Sequence, residues 1–436
     1  MKPLIAIVGK PNVGKSTFFN KVTGKKISIV YDCPGITRDR VYEDAVWNGK
    51  VFTLIDTGGL ELNSSDEMWG HIKKQANIAI ESADMVLFFT DVKGGITSSD
   101  FEVAQLLRRS KKKVFLVVNK ADNYNISASS EFYNLGLGEP YPISSEHGNG
   151  IADLLDDIVK NFDKIQDEGE ADSYLKIAIV GKPNAGKSSL VNKLLGFERT
   201  IVSDKAGTTR DSVDTKIEIN GKKYIFIDTA GIRRKRSVEE DIEYYSVIRA
   251  LGSIRRADVC LVTIDAGEDI SEQDVKICGY VHEQAKPSVI VMNKWDLIEK
   301  DGKTTEKFNR NLREKLSFME YFKPVYISAL TGQRVQKVIE LAEEVYQNAC
   351  KKIDASTLND VIIQAVTSTE PPTYKGRKLE IKRARYDGIA PPAFVFEVND
   401  PELVHFSYKR YLENRLREAF DFSGTPIRLI FKKINE

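Results

Sequence analysis

Residues 9–17 read GKPNVGKST, and residues 181–189 read GKPNAGKSS. Each follows a short apolar run, LIAIV (4–8) in the first case and KIAIV (176–180) in the second. Both fit the pattern G-x-x-x-x-G-K-[ST], in which a strand ends at a glycine loop that opens a helix. Such a loop turns its backbone N–H groups inward, and with the helix N-terminus makes a cradle for phosphate oxygens. Gly9, Gly14, Gly181 and Gly186 stand where the backbone must pass close to a phosphate. Asn12, Val13, Thr17, Asn184, Ala185 and Ser189 complete the two loops. Lys15 and Lys187 can reach the β- and γ-phosphates, and the hydroxyls of Ser16 and Ser188 can ligate Mg²⁺. A chance glycine loop capping a helix would explain one copy; it does not explain two, each placed after a strand.

The repetition extends well beyond the loops. Thr37 pairs with Thr209, Asn48-Gly49 with Asn220-Gly221, and Asp56 with Asp228, all at the 172-residue spacing of Gly9 and Gly181. The spacing grows to 174 at Asn119/Asn293 and 184 at Ser144/Ser328, so insertions fall late in each copy. A period this long means tandem domains rather than a solenoid. VWNGKVFTLID (46–56) and IEINGKKYIFID (217–228) alternate around Asn-Gly, the strongest short hairpin signal. MVLFFTD (85–91), VFLVVNK (114–120), VCLVTID (259–265) and SVIVMNK (288–294) read as buried strands. They alternate with helical stretches, so each copy is expected to be an α/β domain with a mainly parallel sheet covered on both faces.

The expected division is 1–162, an acidic linker at 163–174, 175–351 and 352–436. DKIQDEGEADS (163–173) sets five acidic residues against one lysine and holds almost nothing apolar. Past Ala349 the repeat ends. TLNDVIIQAV (357–366) reads as a helix stopped by Pro371-Pro372, RKLEIKRARY (377–386) and AFVFEVN (393–399) as strands, 402–420 as a helix and PIRLIFKK (426–433) as a last strand. This is a small αββαβ domain.

The chain has 436 residues, room for two to four domains at about 100–200 residues each. Its net charge is only +1, so any affinity for nucleic acid must come from local patches. Cys33, Cys260, Cys278 and Cys350 are scattered without a CxxC pair, which suits reduced thiols. The apolar run before Gly9 is too short for a signal peptide or a span, and no later run reaches the ~18 residues a span needs. A soluble cytoplasmic protein without a membrane partner is expected.

A phosphate loop is common to kinases, ATPases and GTPases; the companion motifs separate them. Asp56-Thr57-Gly58-Gly59 and Asp228-Thr229-Ala230-Gly231 close the hairpins. The aspartate can hold Mg²⁺ through water, and Gly59 or Gly231 can offer its N–H to the γ-phosphate. Thr37 in PGITRD and Thr209 in AGTTRD lie between loop and DxxG, where a switch threonine closes over Mg²⁺ and the γ-phosphate. Asn119, Lys120 and Asp122, and likewise Asn293, Lys294 and Asp296, form NKxD at the ends of apolar strands, where open α/β sheets place ligands. A carboxylate there accepts from guanine N1–H and the exocyclic amine, a pairing adenine cannot make. Ser144-Ser145 and Ser328-Ala329 can offer a backbone N–H to the guanine carbonyl.

With these five motifs, in order and twice, the chain resembles the translation-factor-type GTPases. After DxxG, where a glutamine often orients the attacking water, stand Leu60 and Ile232. Hydrolysis is therefore expected to be slow or to use a supplied cation. Resemblance to GTPases with Pro-Asn in this loop suggests K⁺ held by the amide oxygens of Asn12 and Asn184. A phosphotransfer enzyme acting on a small molecule would need a base, and His71, His147, His282 and His405 lie scattered outside the motifs. An RNA-modifying enzyme would need a further domain, and the tail offers none of that kind.

Two GTPase units, an acidic linker and a short αββαβ tail together resemble the bacterial double-GTPase family of ribosome-assembly factors. That resemblance implies a KH-like tail, monomeric action, GTP and GDP as ligands, and assembly of the large ribosomal subunit, with nucleotide state controlling docking on rRNA. No G-x-x-G tetrad follows residue 351, and the resemblance implies that this part packs against a GTPase unit. Two basic runs stand out. One holds Lys375, Arg377, Lys378, Lys382, Arg383 and Arg385; the other is Arg233-Arg234-Lys235-Arg236, beside the second DxxG, where RNA contact could follow nucleotide state.

Overall fold

The computed structural model describes residues 3–24, 42–56, 77, 80, 83–110, 112–122, 130–162, 174–196, 200–202, 214–229, 242–371, 373–374 and 376–434. The expected linker at 163–173 lies outside them. The chain divides into two compact units, 1–172 with 241–252, and 173–240 with 253–436.

In the first unit, strands β1 (Leu4–Gly9), β2 (Tyr42–Trp47), β3 (Lys50–Asp56), β4 (Met85–Asp91), β5 (Lys113–Asn119) and β6 (Pro140–Pro142) form a sheet in the order β2-β3-β1-β4-β5-β6. Only β2 runs antiparallel, to β3, and Asn48 (φ 48°) with Gly49 (φ 75°) makes the two-residue turn between them. Two successive positive φ values are what a type I′ turn requires, which is why Asn-Gly stands there.

The apolar strands are buried on both faces, and the period of two sorts their side chains. Ile5, Ile7, Leu54, Leu87, Phe89 and Val117 pack under helices α1 (Lys15–Thr23) and α3 (Ile151–Lys160). Ala6, Val8, Val86, Phe88, Leu116 and Val118 pack on the other side under α2 (Ser98–Arg109). Each fully buried Leu, Ile or Phe contributes about 1.5–3 kcal/mol, so the central strands anchor the loops that follow them.

The second unit repeats this plan. Strands β7 (Leu175–Val180), β8 (Thr200–Val202), β9 (Thr215–Ile219), β10 (Lys222–Ile227), β11 (Val259–Asp265), β12 (Ser288–Asn293) and β13 (Lys323–Tyr326) are ordered β13-β12-β11-β7-β10-β9-β8. Its helices are α4 (Lys187–Leu195), α6 (Glu272–Glu283), α7 (Thr304–Lys315) and α8 (Val335–Ala349), while α5 (Ile242–Arg256) is divided, with 242–252 counted in the first unit and 253–256 in the second. Strand β8, antiparallel to β9, extends the sheet edge and has no counterpart among the described residues of the first unit.

The tail follows α8 directly. Helix α9 (Ala355–Ser368) begins at Asp354, whose carboxylate accepts from the N–H groups of Ser356 and Thr357. Strands β16 (Ile381–Tyr386), β17 (Ala393–Val398) and β18 (Arg428–Lys433) form a sheet with β17 central, and α10 (Phe406–Phe420) packs with α9 on one face. Two expectations change here. The run 377–386 is not one strand: Arg377–Lys378 (β15) pairs only with Thr373–Tyr374 (β14), and β16 starts at Ile381 with an irregular register. Residues 402–420 are not one helix either. Asp400 caps a short turn at Pro401–Leu403, and α10 starts anew after His405, whose ring nitrogen accepts from Ser407 N–H.

The tail docks on the second GTPase repeat through α10, the turn after it and the loop between β16 and β17, where Ala390 N donates to Ala349 O. Gly424 donates to Tyr321 O (2.6 Å) and accepts from Ser288 N (2.8 Å), and Thr425 Oγ1 donates to Val345 O (2.8 Å). Asn348 Nδ2 reaches Ser423 O (3.0 Å), and the Arg417 guanidinium stacks 4.7 Å above the Tyr321 ring. Tyr321 also bonds His282 Nδ1 (2.9 Å), and burial holds the His282 ring below its ordinary pKa. The opposite sheet face carries Arg383, Arg385, Arg428 and Lys432, all exposed. Among the described residues no helix is long and apolar enough to cross a membrane.

Gly424 has φ 72°, and a Cβ there would run into the Val345 side chain. Gly424→Ala is therefore expected to cost about 1–3 kcal/mol through strain and overpacking. Urea unfolding checks the cost, and faster proteolysis at 350–354 would report a loosened tail.

Candidate functional site

All the described motif residues lie at the carboxyl ends of the parallel strands. Gly9 ends β1, Asp56 ends β3, Asp91 ends β4 and Asn119 ends β5, and the second repeat places Asn293 at the end of β12 in the same way. This is the edge at which open α/β sheets bind ligands.

The phosphate loops are the same loop built twice. Asn12 and Asn184 both have φ 63°, and Gly14 and Gly186 have φ 90° and 91°. Gly14 and Gly186 are the N-caps of α1 and α4, so each helix points its free N–H groups and positive dipole end into the loop. Val13 and Ala185 anchor the loops by burial, while Asn12 and Asn184, with Thr17, Ser188 and Ser189, are exposed. Lys15 Nζ donates to the carbonyls of Gly9 (2.7 Å) and Lys10 (2.5 Å), and Lys187 Nζ to those of Gly181 and Lys182 (both 2.7 Å). Burial pushes each ammonium down to about 8, opposed in one case by the Asp56 carboxylate and in the other by Asp274. An ammonium bonded to loop carbonyls and lowered by burial is suited to an incoming polyanion.

Beside the first loop, Ser16 Oγ donates to Asp56 Oδ2 at 2.7 Å. The pair offers hard oxygens at the spacing of neighbouring ligands on one small cation. Among the described residues no group of three His, Cys, Asp or Glu could hold a metal alone. The Ser16–Asp56 pair suits Mg²⁺, which takes one or two protein ligands and fills the remaining positions with phosphate and water. Ser188 and Asp228 are the corresponding residues of the second repeat. Thr37, Gly59, Thr209, Gly231 and the run Arg233-Arg234-Lys235-Arg236 lie outside the described residues, as do Leu60 and Ile232.

At the base end, Asn119 and Asn293 are buried to 1% and 2% exposure. Asn119 Nδ2 donates to Val13 O (2.6 Å) and its Oδ1 accepts from Ser145 N (2.9 Å). Asn293 does the same with Ala185 O and Ala329 N (both 2.9 Å). Each amide ties the phosphate loop to the Ser-Ser or Ser-Ala loop. Lys120 and Lys294 adopt left-handed backbones (φ 65° and 62°) and pair with Asp91 (2.6 Å) and Asp265 (2.5 Å). Ser144 Oγ donates to Asp122 Oδ1 (2.9 Å), while Ser328 Oγ accepts from Thr331 N (3.1 Å). Asp296 is exposed.

Motif reading alone missed two supports. Asp91 and Asp265 end strands at the 174-residue spacing of Asn119 and Asn293, a signal that was present in the sequence. Lys10 pairs with buried Asp100 (2.6 Å) and Lys182 with Asp274 (3.5 Å), tying each phosphate loop to the capping box of α2 or α6.

Fold and site together define a P-loop GTPase with two GTP-binding repeats on mainly parallel sheets and a third, smaller domain. Residues 4–120 and 176–294 match the model of the 50S ribosome-binding GTPase family, and 352–432 match the KH-domain-like C-terminal domain of EngA bacterial GTPases. GTPase Der of Clostridium novyi (strain NT) is 53% identical over 436 residues, covering 100% of both chains. GTPase Der of Acetivibrio thermocellus is 53% identical over 434 residues, covering 99% of each. The chain belongs to the GTPase Der family.

The lowered lysines have a measurable consequence. A phosphate chain placed against either ammonium raises its pKa again, so binding takes up protons as pH rises through about 8. Below pH 7 both lysines are already charged and no uptake follows. Calorimetry of GDP binding in buffers of different ionisation enthalpy should show roughly 0.7 proton taken up per site at pH 8.5, and almost none at pH 6.5.

Proposed function

We propose that this protein is a GTP-hydrolysing assembly factor of the large ribosomal subunit, acting in the cytoplasm as a monomer, with its docking on rRNA controlled by nucleotide state. The reading divides the chain at 1–162, 163–174, 175–351 and 352–436. Gly9 to Thr17 and Gly181 to Ser189 hold phosphate; Ser16, Thr37 and Asp56, with Ser188, Thr209 and Asp228, hold Mg²⁺; Gly59 and Gly231 sense the γ-phosphate. Asp122 and Asp296 read guanine, positioned by the asparagines, lysines and serine loops around them.

The observation that carries the ribosomal part is the tail's exposed sheet face. Arg383 and Arg385 on β16 lie across β17 from Arg428 and Lys432 on β18, with Glu397 between them and Asp387 3.9 Å from Arg385. A flat face with four cations suits a phosphate backbone, whose contacts depend on salt and not on sequence. The family model's description as a 50S ribosome-binding GTPase agrees with this reading. Sedimentation of the protein with ribosomal subunits under GDP, GTP and a non-hydrolysable analogue tests it. Binding to large-subunit particles should differ between nucleotides, and Arg383→Glu with Arg385→Glu should weaken it about tenfold or more at physiological salt. Equal binding in every nucleotide state would overturn the control by nucleotide.

Hydrolysis in this reading is slow, because Leu60 and Ile232 cannot orient water. K⁺ supplies the missing charge, held by the exposed, left-handed Asn12 and Asn184. Turnover in KCl is expected to exceed turnover in NaCl by about tenfold or more, in line with the role of a supplied cation in GTPases. Asn184→Ala should abolish the second site's share of that difference.

A further inference from the structure

The two base ends share a backbone and differ in one side chain. Lys93 N donates to Asp91 Oδ1 at 2.9 Å, and Gly267 N donates to Asp265 Oδ1 at 2.9 Å, so Lys93 and Gly267 occupy the same position of the repeat. From there Lys93 Nζ reaches Asp122 Oδ2 at 2.9 Å. Asp122 Oδ1 accepts from Ser144 Oγ, and the His147 ring lies 4.0 Å away. Both carboxylate oxygens of the first guanine reader therefore already have donors. The Lys93 hydrogen bond holds Asp122 below its ordinary carboxylate pKa. Asp91 and Glu146 also face Lys93. In the second repeat Gly267 has no side chain to offer, and among the described residues nothing hydrogen-bonds or ion-pairs with Asp296. Leu297 and Leu330, 66% and 79% exposed, flank that site instead.

We propose that Lys93 competes with guanine for Asp122, so that the first repeat holds guanine nucleotides less tightly than its geometry otherwise allows, while the second, with Gly267 in that place, has no such competitor. This rests on Asp122 and Asp296 being the guanine readers. Guanine presents two donors, N1–H and the exocyclic amine, to one carboxylate. To receive them Asp122 must release the Lys93 ammonium to solvent and turn from Ser144. Lys93 is well exposed, so the pair is worth little in absolute terms and is screened by salt. It acts on one site only, which sets a difference in occupancy between two otherwise matched loops.

The test uses the full chain with one phosphate loop silenced at a time. With Lys187→Ala silencing the second site, Lys93→Ala should raise affinity for fluorescent GDP about two- to fivefold at low ionic strength. The ratio should shrink toward one in 0.5 M KCl, where screening acts over a few ångströms. With Lys15→Ala silencing the first site, Gly267→Lys should lower GDP affinity by a similar factor; the added Cβ would meet Asp265 Oδ1 at 3.3 Å, a tight contact that asks a shift of a few tenths of an ångström, and Leu297 at 3.9 Å. Unchanged or weaker binding by Lys93→Ala, or a ratio indifferent to salt, overturns the proposal. Asp122→Asn distinguishes the underlying reading. If it keeps full preference for GDP over xanthosine diphosphate, Asp122 is not the guanine reader. If it loses that preference while Lys93→Ala is neutral, only the competition fails.

Discussion

The buried asparagine amide at the end of β5, and its copy at the end of β12, is the contact on which each nucleotide site depends. Asn119 donates to the phosphate loop and accepts from the serine loop, and Asn293 repeats both bonds. These loops approach from different strands, and without the amide neither has a fixed distance to the other. The close approach explains the second glycine of each phosphate loop, because a Cβ on Gly14 or Gly186 would overlap the asparagine amide nitrogen. One planar group thus sets the span between the phosphate loop and the serine loop. The amide is out of solvent, and a buried donor or acceptor left unmade would cost about 1–3 kcal/mol, so the bridge holds firmly.

Around that bridge the site is made of charges held in check. Lys15 and Lys187 lie against loop carbonyls with their ammonium groups weakened by burial, and Lys120 and Lys294 are pinned by Asp91 and Asp265. Lys10 and Lys182 are pinned by the capping aspartates of α2 and α6. The phosphate end is therefore nearly identical in the two repeats. Departures collect at the base end and in the tail, where exposed positions can change without disturbing the core.

Much of this was legible in the sequence, and for identifiable reasons. Buried parallel strands are written as short apolar runs, Asn-Gly specifies a type I′ turn locally, and the phosphate loop needs glycine at fixed places. The features that escaped depend on register between distant segments. Lys93 meets Asp122 because β4 and β5 align Asp91 with Asn119, and no local pattern records that alignment. The docking of Gly424 against Val345 joins residues 79 apart, and no motif records it. The run 377–386 looked continuous because its composition is that of a strand, whereas Arg377–Lys378 pairs with β14 and the Asn399 side chain, far along the chain, takes the Lys378 carbonyl and the Glu380 N–H.

Helix α8 gives the docked tail a mechanical meaning. Its first turn follows the Ser328-Ala329 loop, and its last turn holds the tail through Val345 O and Asn348. Fifteen helical residues span about 22 Å as a stiff rod. The loop that Asn293 bridges and the turn that seats the tail are therefore held a fixed distance apart by one helix.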